Sequence, residues 1–230
     1  KRNGSIEQII EDSHRFATEI GYRLRERIYN KAIPQLSTCL AKNQSGYDKP
    51  SKDQLDTYYE QAMLILFRIL FVAYAEDRGL LPYRTNGEYK DHSLQHRAER
   101  LAEQVSLSEN LKIDFDPNQF NLWEEIKALW QSVDKGNLEW GVPAYNGGLF
   151  SEDKEFRYIG YLISKISLSN AEFGPVLQAI LVDEIDVNVF GSVDFRSLSV
   201  REFGTIYEGL LESSLNYAET DLIVDKNGAY

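Results

Sequence analysis

Two histidines, His92 and His96, are spaced so that one helix would point both imidazoles in the same direction. Zinc-binding helices use this spacing, but the catalytic form has a glutamate directly after the first histidine, where this chain has Ser93. We therefore expect a solvated surface pair rather than a metal site. The remaining histidine, His14, stands alone on a predicted helix, which favours a structural role.

Glu125, Ile126 and Lys127 match the acid-x-Lys pair of restriction-type nucleases, with Asp114 and Asp116 upstream as further carboxylates. In such a site the carboxylates hold a magnesium ion and the lysine directs the attacking water. The pair lies, however, where the apolar residues recur at a helical period, whereas the nuclease motif needs a strand. We expect a coincidental match within a helix.

A third candidate site consists of the carboxylates Asp183, Glu184 and Asp186, which could bind calcium. They lack the spacing of an EF-hand, so we expect a solvated helix end. The Asn-Gly-Gly sequence at 146–148 permits positive φ angles and tight turns, but no phosphate-loop pattern surrounds it. The sequence also has no nucleophile elbow, no Asn-Pro-Pro-Tyr methylation motif and no Gly-rich cofactor loop. We do not expect this segment to catalyse a reaction by itself.

Net charge and cysteine content exclude further functional classes and site types. The net charge of −11 repels phosphate, so a self-sufficient DNA-binding module is not expected, even with a local basic patch such as Arg23, Arg25 and Arg27. Cys39 is the only cysteine, which excludes an intramolecular disulfide and a four-cysteine zinc site and fits a reducing cytoplasm. Hydrophobic residues make up 43% of the 230 residues, as in an ordinary globular protein.

Neither a signal peptide nor a membrane anchor is expected. The basic start is followed by a polar amphipathic stretch, and the longest apolar run, at 62–75, contains Arg68 and is shorter than the roughly 20 residues that span a bilayer. The chain begins without methionine and stops just after Asn227 and Gly228, a hairpin-turn pair without a return strand. We interpret both ends as cut from a longer protein.

Helical periodicity dominates the chain up to Glu212, which predicts a mainly α fold, an irregular helical bundle with a small strand or hairpin element at the C-terminus. The predicted helices are one from Ser5 that ends before Pro34, a central one from a Ser51 cap to a Gly79 stop, and others over 91–106, 119–133, 171–183 and 199–212. Residues 42–52 are predicted as a linker. Leu215, Tyr217, Leu222 and Val224 indicate strands.

The last predicted helix has one broad apolar stripe, formed by Val200, Phe203, Ile206, Tyr207, Leu210 and Leu211. Gly204 and Gly209 lie in its interior, where each costs about 1 kcal/mol relative to alanine. Their presence suggests that a neighbouring group approaches the backbone closely.

Four segments, in the same order, resemble a known family. They are 66–82 (LFRILFVAYAEDRGLLP), Leu129-Trp130, 143–150 (PAYNGGLF) and 193–212 (VDFRSLSVREFGTIYEGLLE). Together they resemble the region that precedes the catalytic domain in large bacterial DNA adenine-N6 methyltransferases, which include type IIG restriction-modification enzymes and phage-exclusion (BREX-type) methylases. The resemblance covers roughly residues 55–212, with Phe203 where leucine is expected, and residues 1–50 match only as a helical lead-in.

The resemblance implies a non-catalytic helical connector, or scaffold, that positions a flanking nuclease module, a methyltransferase module, or both. It implies a lead-in at 1–50, the connector at 51–212, and at 213–230 the start of a strand element that belongs to the following domain. Methyl transfer, its cofactor S-adenosylmethionine and any magnesium would belong to the parent protein, and DNA would be reached through the full-length chain only. Whether the parent also cuts DNA stays open.

No catalytic, cofactor-binding or metal-ligating residue can be carried over from the family. The motif positions that could receive the missing methyltransferase domain of the same chain are Tyr145, Asn146, Gly147, Gly148, Arg196, Gly204, Tyr207, Glu208 and Gly209. We expect that domain to dock on the apolar stripe of the last helix, although packing within this protein alone explains the stripe equally well.

The alternative is a free-standing helical module that binds protein partners through an apolar groove, and a metal-dependent nuclease is a distant third reading. The gene distinguishes the first two, because a stop codon near Tyr230 supports the free-standing module and a downstream Asn-Pro-Pro-Tyr motif supports the connector.

Overall fold

The computed structural model describes residues 3–45, 49–217 and 222–226. The fold is mainly α with a small hairpin at the C-terminus, as the sequence predicts. The helices are α1 (Asn3–Arg27), a π-helical segment (Ile28–Ala32), α2 (Ile33–Ser45), α3 (Lys52–Asp77), α4 (Gly87–His92), α5 (Leu94–Leu107), α6 (Asn121–Lys135), α7 (Tyr158–Lys165), α8 (Asn170–Leu181) and α9 (Val200–Leu211). The strands are β1 (Val182–Asp186), β2 (Val189–Ser192), β3 (Ser213–Tyr217) and β4 (Leu222–Lys226).

The first helix does not end before Pro34, so that prediction is wrong. Proline has no N–H, and in an α-helix its ring would clash with the carbonyl group four residues earlier, here that of Asn30. The turn before Pro34 is instead π-helical, with the Ile33 N–H donating to the Ile28 carbonyl. This wider turn accommodates the ring, and the helix continues as α2 into the segment predicted as a linker.

α3 is the central helix of the bundle, as predicted. Ser51 and Gln54 form a capping box, in which the Gln54 N–H donates to Ser51 Oγ at 3.3 Å and the Ser51 N–H donates to Gln54 Oε1 at 2.8 Å. The chain leaves the helix through Gly79, whose φ is 71°. α3 is long and apolar enough to cross a membrane, but 78% of its most apolar window is buried inside the protein, as in the core helix of a soluble protein.

Two antiparallel hairpins accompany the helices. The helix predicted over 171–183 ends at Leu181, and the chain turns directly into β1, which pairs with β2 in a hairpin that was not predicted. β3 pairs with β4, with Leu215 opposite Val224, which confirms the strands predicted there. The Asn227-Gly228 turn pair lies outside the described residues.

One buried apolar cluster includes residues of α1 and α2, from Ile20 to Ala41, together with those of α3 to β3. The N-terminal helices therefore have no separate core among the described residues. The division into a lead-in at 1–50, a connector at 51–212 and a strand element at 213–230 stays a prediction.

Candidate functional site

Arg68 lies where three of the family-like segments meet. Its side chain is fully buried. Nε donates to the Leu149 carbonyl oxygen at 2.8 Å, and Nη2 donates to the Ser151 carbonyl oxygen at 3.0 Å. The guanidinium carbon lies 5.2 Å from the centre of the Trp130 ring. Arg68 thus joins α3 to α6 and to the loop at 143–151.

The surroundings of Arg68 suit a structural role. Burial lowers the pKa of Arg68 to about 10, so the guanidinium remains charged at neutral pH. Within the described part of the chain it forms no ion pair, and its Nη1 has no hydrogen-bond partner. A buried charge is costly unless polar groups compensate it, and here two carbonyl oxygens and a ring face do so. We find no acid–base geometry at Arg68.

Tyr145 fixes the start of the loop at 143–151 through two hydrogen bonds. Its backbone N–H donates to the Val133 carbonyl oxygen at 3.0 Å, and its hydroxyl group donates to the Leu80 carbonyl oxygen at 2.7 Å. The loop is thereby tied to the end of α6 and to the turn after α3, although the Tyr145 ring itself is partly exposed.

The Asn-Gly-Gly sequence enters a tight turn, as predicted, since the Phe150 N–H donates to the Gly147 carbonyl oxygen at 3.2 Å, but only its first residue has a positive φ. Asn146 has a φ of 46°, and its N–H donates to the Asp134 carbonyl oxygen at 3.3 Å. Neither Gly147 nor Gly148 has a φ in the left-handed region. Gly148 faces the ring of Phe156, which would lie 3.1 Å from an added Cβ, whereas Gly147 faces open space.

Gly160 of α7 allows the helix to approach this loop closely. A Cβ at this position would overlap the Ser151 carbonyl oxygen and would come within 3.0 Å of Arg68 Nη2. Sequence reasoning missed α7, because its apolar segment is only eight residues long.

Aromatic rings join α3 to α9. The centres of the Phe67 and Tyr207 rings are 5.2 Å apart, and those of Tyr74 and Phe203 are 5.1 Å apart. Phe71 lies on the same face of α3, because it is four residues after Phe67 and three before Tyr74. These contacts attach the fourth family-like segment to the first.

Apolar side chains in and beside these contacts are exposed to solvent, including Phe71, whose ring packs against Phe150 of the loop at 143–151. Phe71 is 39% exposed, Tyr207 47% and Leu211 56%. We refer to the group formed by Phe67, Phe71, Tyr74, Phe203, Tyr207 and Leu211 as the α3–α9 aromatic surface. The apolar stripe predicted on α9 is therefore divided, since Ile206 and Leu210 are buried in this protein.

The two glycines of α9 differ. A Cβ on Gly209 would overlap the Tyr29 hydroxyl group, so the predicted close approach is confirmed there, and the neighbour belongs to this protein. Among the described residues, nothing lies within 4 Å of a Cβ on Gly204, so the prediction is wrong at that position.

Arg196 and Glu208, the other predicted docking positions, are both exposed. The backbone N–H of Arg196 donates to the carboxylate of Asp77, whose pKa is raised by burial. Glu208 borders a groove of about 410 Å³ beside Tyr29 and Glu212. Neither side chain is held in a geometry that indicates chemistry.

Glu76 is a buried carboxylate that the sequence analysis did not single out. It accepts hydrogen bonds from the Tyr89 hydroxyl at 2.7 Å, the Leu94 N–H at 3.0 Å and the Gln95 N–H at 2.8 Å. Burial raises the pKa of Glu76 to about 7, against the effect of these donors. Glu76 thus connects α3 to α4 and to the start of α5.

His92 and His96 do not share a helix. α4 ends at His92, and Ser93 begins α5 by accepting the His96 N–H at 3.1 Å, so the single helix predicted over 91–106 is wrong. His92 stacks on Trp140 with 4.2 Å between ring centres, and His96 Nδ1 lies 3.9 Å from Glu99 Oε2.

The acid-x-Lys match lies within α6, as predicted. Glu125 pairs with Arg97 of α5, and Lys127 pairs with Glu124 at 3.0 Å. The two side chains of the motif thus have separate partners.

The expectation that Asp183 lies at a solvated helix end is wrong, because Asp183 is buried and belongs to β1. Arg23 Nη2 donates to it at 2.7 Å and Arg27 Nη1 at 2.5 Å. Burial alone would raise the pKa of Asp183, but these two guanidinium groups outweigh it and lower the pKa. Two of the three arginines of the predicted basic patch are thus paired with a carboxylate.

Within the described residues, no group of three or more His, Cys, Asp or Glu side chains is arranged to hold a metal ion. Sequence reasoning did not predict the burial of three charged residues, Arg68, Glu76 and Asp183, although it had named Asp183 as a candidate calcium ligand. Arg68 was the most visible, since it is a charged residue within the longest apolar run.

Comparison with protein-family models, with curated proteins and with solved structures finds no match to this chain.

Proposed function

We propose that this protein is a non-catalytic helical connector of a bacterial restriction-modification or phage-defence DNA adenine-N6 methyltransferase, which positions the flanking nuclease module, methyltransferase module, or both. The supporting observation is the meeting of the four family-like segments around α3. Arg68 contacts the second and third of them, and Phe67 and Tyr74 contact the fourth. Mutual packing of separated motif segments suits a scaffold whose shape is its function.

The α3–α9 aromatic surface is the proposed docking site for the methyltransferase module. Exposed apolar clusters of this kind favour protein contacts, and aromatic residues contribute most to such interfaces. Phe71, Tyr207 and Leu211 would be covered by the docked module. Gly209 is better explained by its contact with Tyr29, so it is not a good position for testing docking.

The chemistry of the parent enzyme is assigned to modules outside this chain. S-adenosylmethionine would be held by the methyltransferase module, and magnesium by a nuclease module if the parent has one. In this chain the Gly-rich cofactor loop and the Asn-Pro-Pro-Tyr motif are missing from the sequence. The connector would contribute position, and DNA would be contacted through the full-length protein. A cytoplasmic location is part of the proposal, since a chain whose single cysteine, Cys39, is buried fits a reducing compartment.

Tyr207→Ser with Leu211→Ser in the full-length parent tests the docking site. We expect DNA methylation to fall by about tenfold or more, as loss of two interface anchors implies. The melting temperature of the 230-residue protein should fall only slightly, because Leu211 is 56% exposed and Tyr207→Ser removes a single half-exposed ring contact, that with Phe67. Leu107→Ser is the matched control, since Leu107 is 78% exposed at the end of α5.

Normal methylation by the double variant would show that this surface does not dock the module. The reading frame supplies the complementary test. A downstream Asn-Pro-Pro-Tyr motif supports the connector, whereas a stop codon near Tyr230 would favour a free-standing module that uses the same surface for a separate protein.

A further inference from the structure

α9 has an apolar face that this protein covers only in part. Val200, Gly204, Tyr207 and Leu211 follow one another at spacings of four, three and four residues, which places them on one side of the helix. We refer to these four residues as the α9 outer stripe, which is about 16 Å long. Val200 is 78% exposed, and Tyr207 and Leu211 are exposed as well.

The inner side of α9 holds the helix in place. Ile206 and Leu210 are buried, and the ring centres of Phe203 and Tyr74 are 5.1 Å apart. The outer stripe is therefore presented on a helix that is already fixed by its own protein. A surface that is held in place before binding loses less conformational freedom when a partner binds.

Gly204 lies between Val200 and Tyr207 and leaves a notch in the outer stripe. Glycine is less favourable inside a helix than any residue except proline. The φ of Gly204 is not in the left-handed region, and among the described residues no atom lies within 4 Å of an added Cβ. The glycine is therefore explained neither by its backbone conformation nor by a close contact in the described part of this protein, whereas Gly209 is explained by Tyr29.

A second helix is the element whose shape fits this stripe. Where two helices cross, the side chains at the crossing point set the distance between the helix axes, which is normally about 8–10 Å. Gly204 contributes no side chain, so a crossing helix can approach the α9 backbone closely there. Val200 and Tyr207 would then lie on either side of the crossing point, in the grooves of the second helix.

The charges beside the outer stripe indicate the chemistry of the partner. Its polar side carries the exposed Arg201, Glu208 and Glu212, and neither carboxylate forms an ion pair within the described part of the chain. Two carboxylates oppose contact with DNA phosphates, and the net charge of −11 opposes a second copy of this chain. They suit a partner that has basic residues beside an apolar face.

We propose that a helix of the methyltransferase module crosses α9 at Gly204, with its apolar face on the outer stripe and lysine or arginine residues opposite Glu208 and Glu212. The inference rests on the proposed connector function and specifies the partner at its docking site, because Tyr207 and Leu211 belong to both the outer stripe and the α3–α9 aromatic surface. The neighbour that Gly204 lacks within this protein is then the backbone of that helix.

Gly204→Leu tests the crossing, because its side chain fills the notch and meets no atom of the described residues within 4 Å of its Cβ. In the 230-residue protein we expect an unchanged or higher melting temperature, since leucine favours a helix more than glycine does. In the full-length parent we expect DNA methylation to fall about tenfold or more, since the added side chain separates the two helices. Thr205→Leu is the matched control on the exposed polar side of α9, and it should leave methylation nearly unchanged.

Three results with these variants would overturn the crossing. The first is normal methylation by Gly204→Leu, and the second is an equal loss of methylation in Gly204→Leu and Thr205→Leu. The third is a fall of more than about 4 °C in the melting temperature of the 230-residue Gly204→Leu protein, which would mean that the glycine serves the packing of this protein.

Two further measurements separate this proposal from the ones around it. If Gly204→Leu methylates normally while Tyr207→Ser with Leu211→Ser does not, the docking site stands and only the helix crossing is wrong. Sedimentation equilibrium of the 230-residue protein tests a second copy as the occupant. A monomer supports the proposal, whereas a dimer that Gly204→Leu dissociates would overturn it.

Discussion

The guanidinium of Arg68 and the ring of Trp130 face each other inside the bundle, with 5.2 Å between the guanidinium carbon and the ring centre. The same guanidinium donates to two carbonyl oxygens of the loop at 143–151. One buried cation therefore fixes a loop that is distant in sequence, since Leu149 follows Arg68 by 81 positions.

Arg68→Lys should destabilise the protein although it keeps the positive charge. Lysine cannot present the planar fork that reaches both the Leu149 and Ser151 carbonyl oxygens, so at least one buried acceptor loses its donor. We expect a loss of about 2–3 kcal/mol in the free energy of unfolding, measured by urea denaturation. Arg100→Lys, on the exposed side of α5, should be nearly neutral. A stable Arg68→Lys variant would contradict the role given to the fork.

Gly209→Ala should destabilise the protein, because the added Cβ overlaps the Tyr29 hydroxyl group. Without the overlap, alanine would be favoured over glycine in a helix by about 1 kcal/mol. Tyr29→Phe removes the hydroxyl and leaves the ring carbon at 3.2 Å as the nearest atom. We therefore expect Gly209→Ala to cost much less, or nothing, in the Tyr29→Phe background. Thermal unfolding of the four proteins of this double-mutant cycle measures the coupling, and additive effects would show that the overlap is unimportant.

Glu76 should make stability depend on pH near neutrality. Burial raises its pKa from 4.5 to about 7, so the folded state binds a proton more tightly than the unfolded state does. The stabilisation that comes from this tighter proton binding is fully present below pH 4.5 and is lost as the pH rises through about 7.

The Glu76→Gln variant lacks this titration. The stability of the natural protein relative to the variant should thus fall by about 2–3 kcal/mol between pH 5 and pH 8. Urea denaturation across this range measures the difference, and Glu88→Gln on the surface of α4 is the control. A difference that is constant with pH would mean that Glu76 does not titrate there.

Asp183→Asn should be strongly destabilising, because it leaves Arg23 and Arg27 side by side without their carboxylate. We expect a loss of about 2–4 kcal/mol, below the largest values for buried pairs since Arg23 is partly exposed. The lowered pKa of Asp183 also predicts a stability contribution that is present above pH 3.8 and is lost as the pH falls below it. Chemical denaturation at pH 7 and pH 3 measures both effects, with the exposed neighbour variant Glu184→Gln as control. An Asp183→Asn protein as stable as the natural one would refute the ion-pair role.

The sequence alone determined the elements whose signals are local. The central helix, the helix over 121–135 and the last helix were predicted because caps, glycine stops and apolar periodicity all act within a few turns of the chain. The C-terminal strands were found for the same reason. The family-like motifs could also be read from the sequence, and with them the proposed connector function.

The tertiary structure decided the features that depend on partners far apart in sequence. Pro34 indicated a helix end, but the helix continues through a π-helical turn before it. Ile28, Tyr29 and Ala32 of this turn are buried, so tertiary packing outweighs the local preference of proline. The β1–β2 hairpin begins where Asp183 meets two arginines of α1, Arg23 and Arg27, which lie 160 and 156 positions earlier. The sequence shows Arg68 as a charge within an apolar run but not the groups that compensate it, and Glu76 looks like an ordinary surface charge. Only the fold supplies the carbonyl oxygens and N–H groups that make their burial possible, because a buried charge is stable only where its hydrogen-bond partners converge.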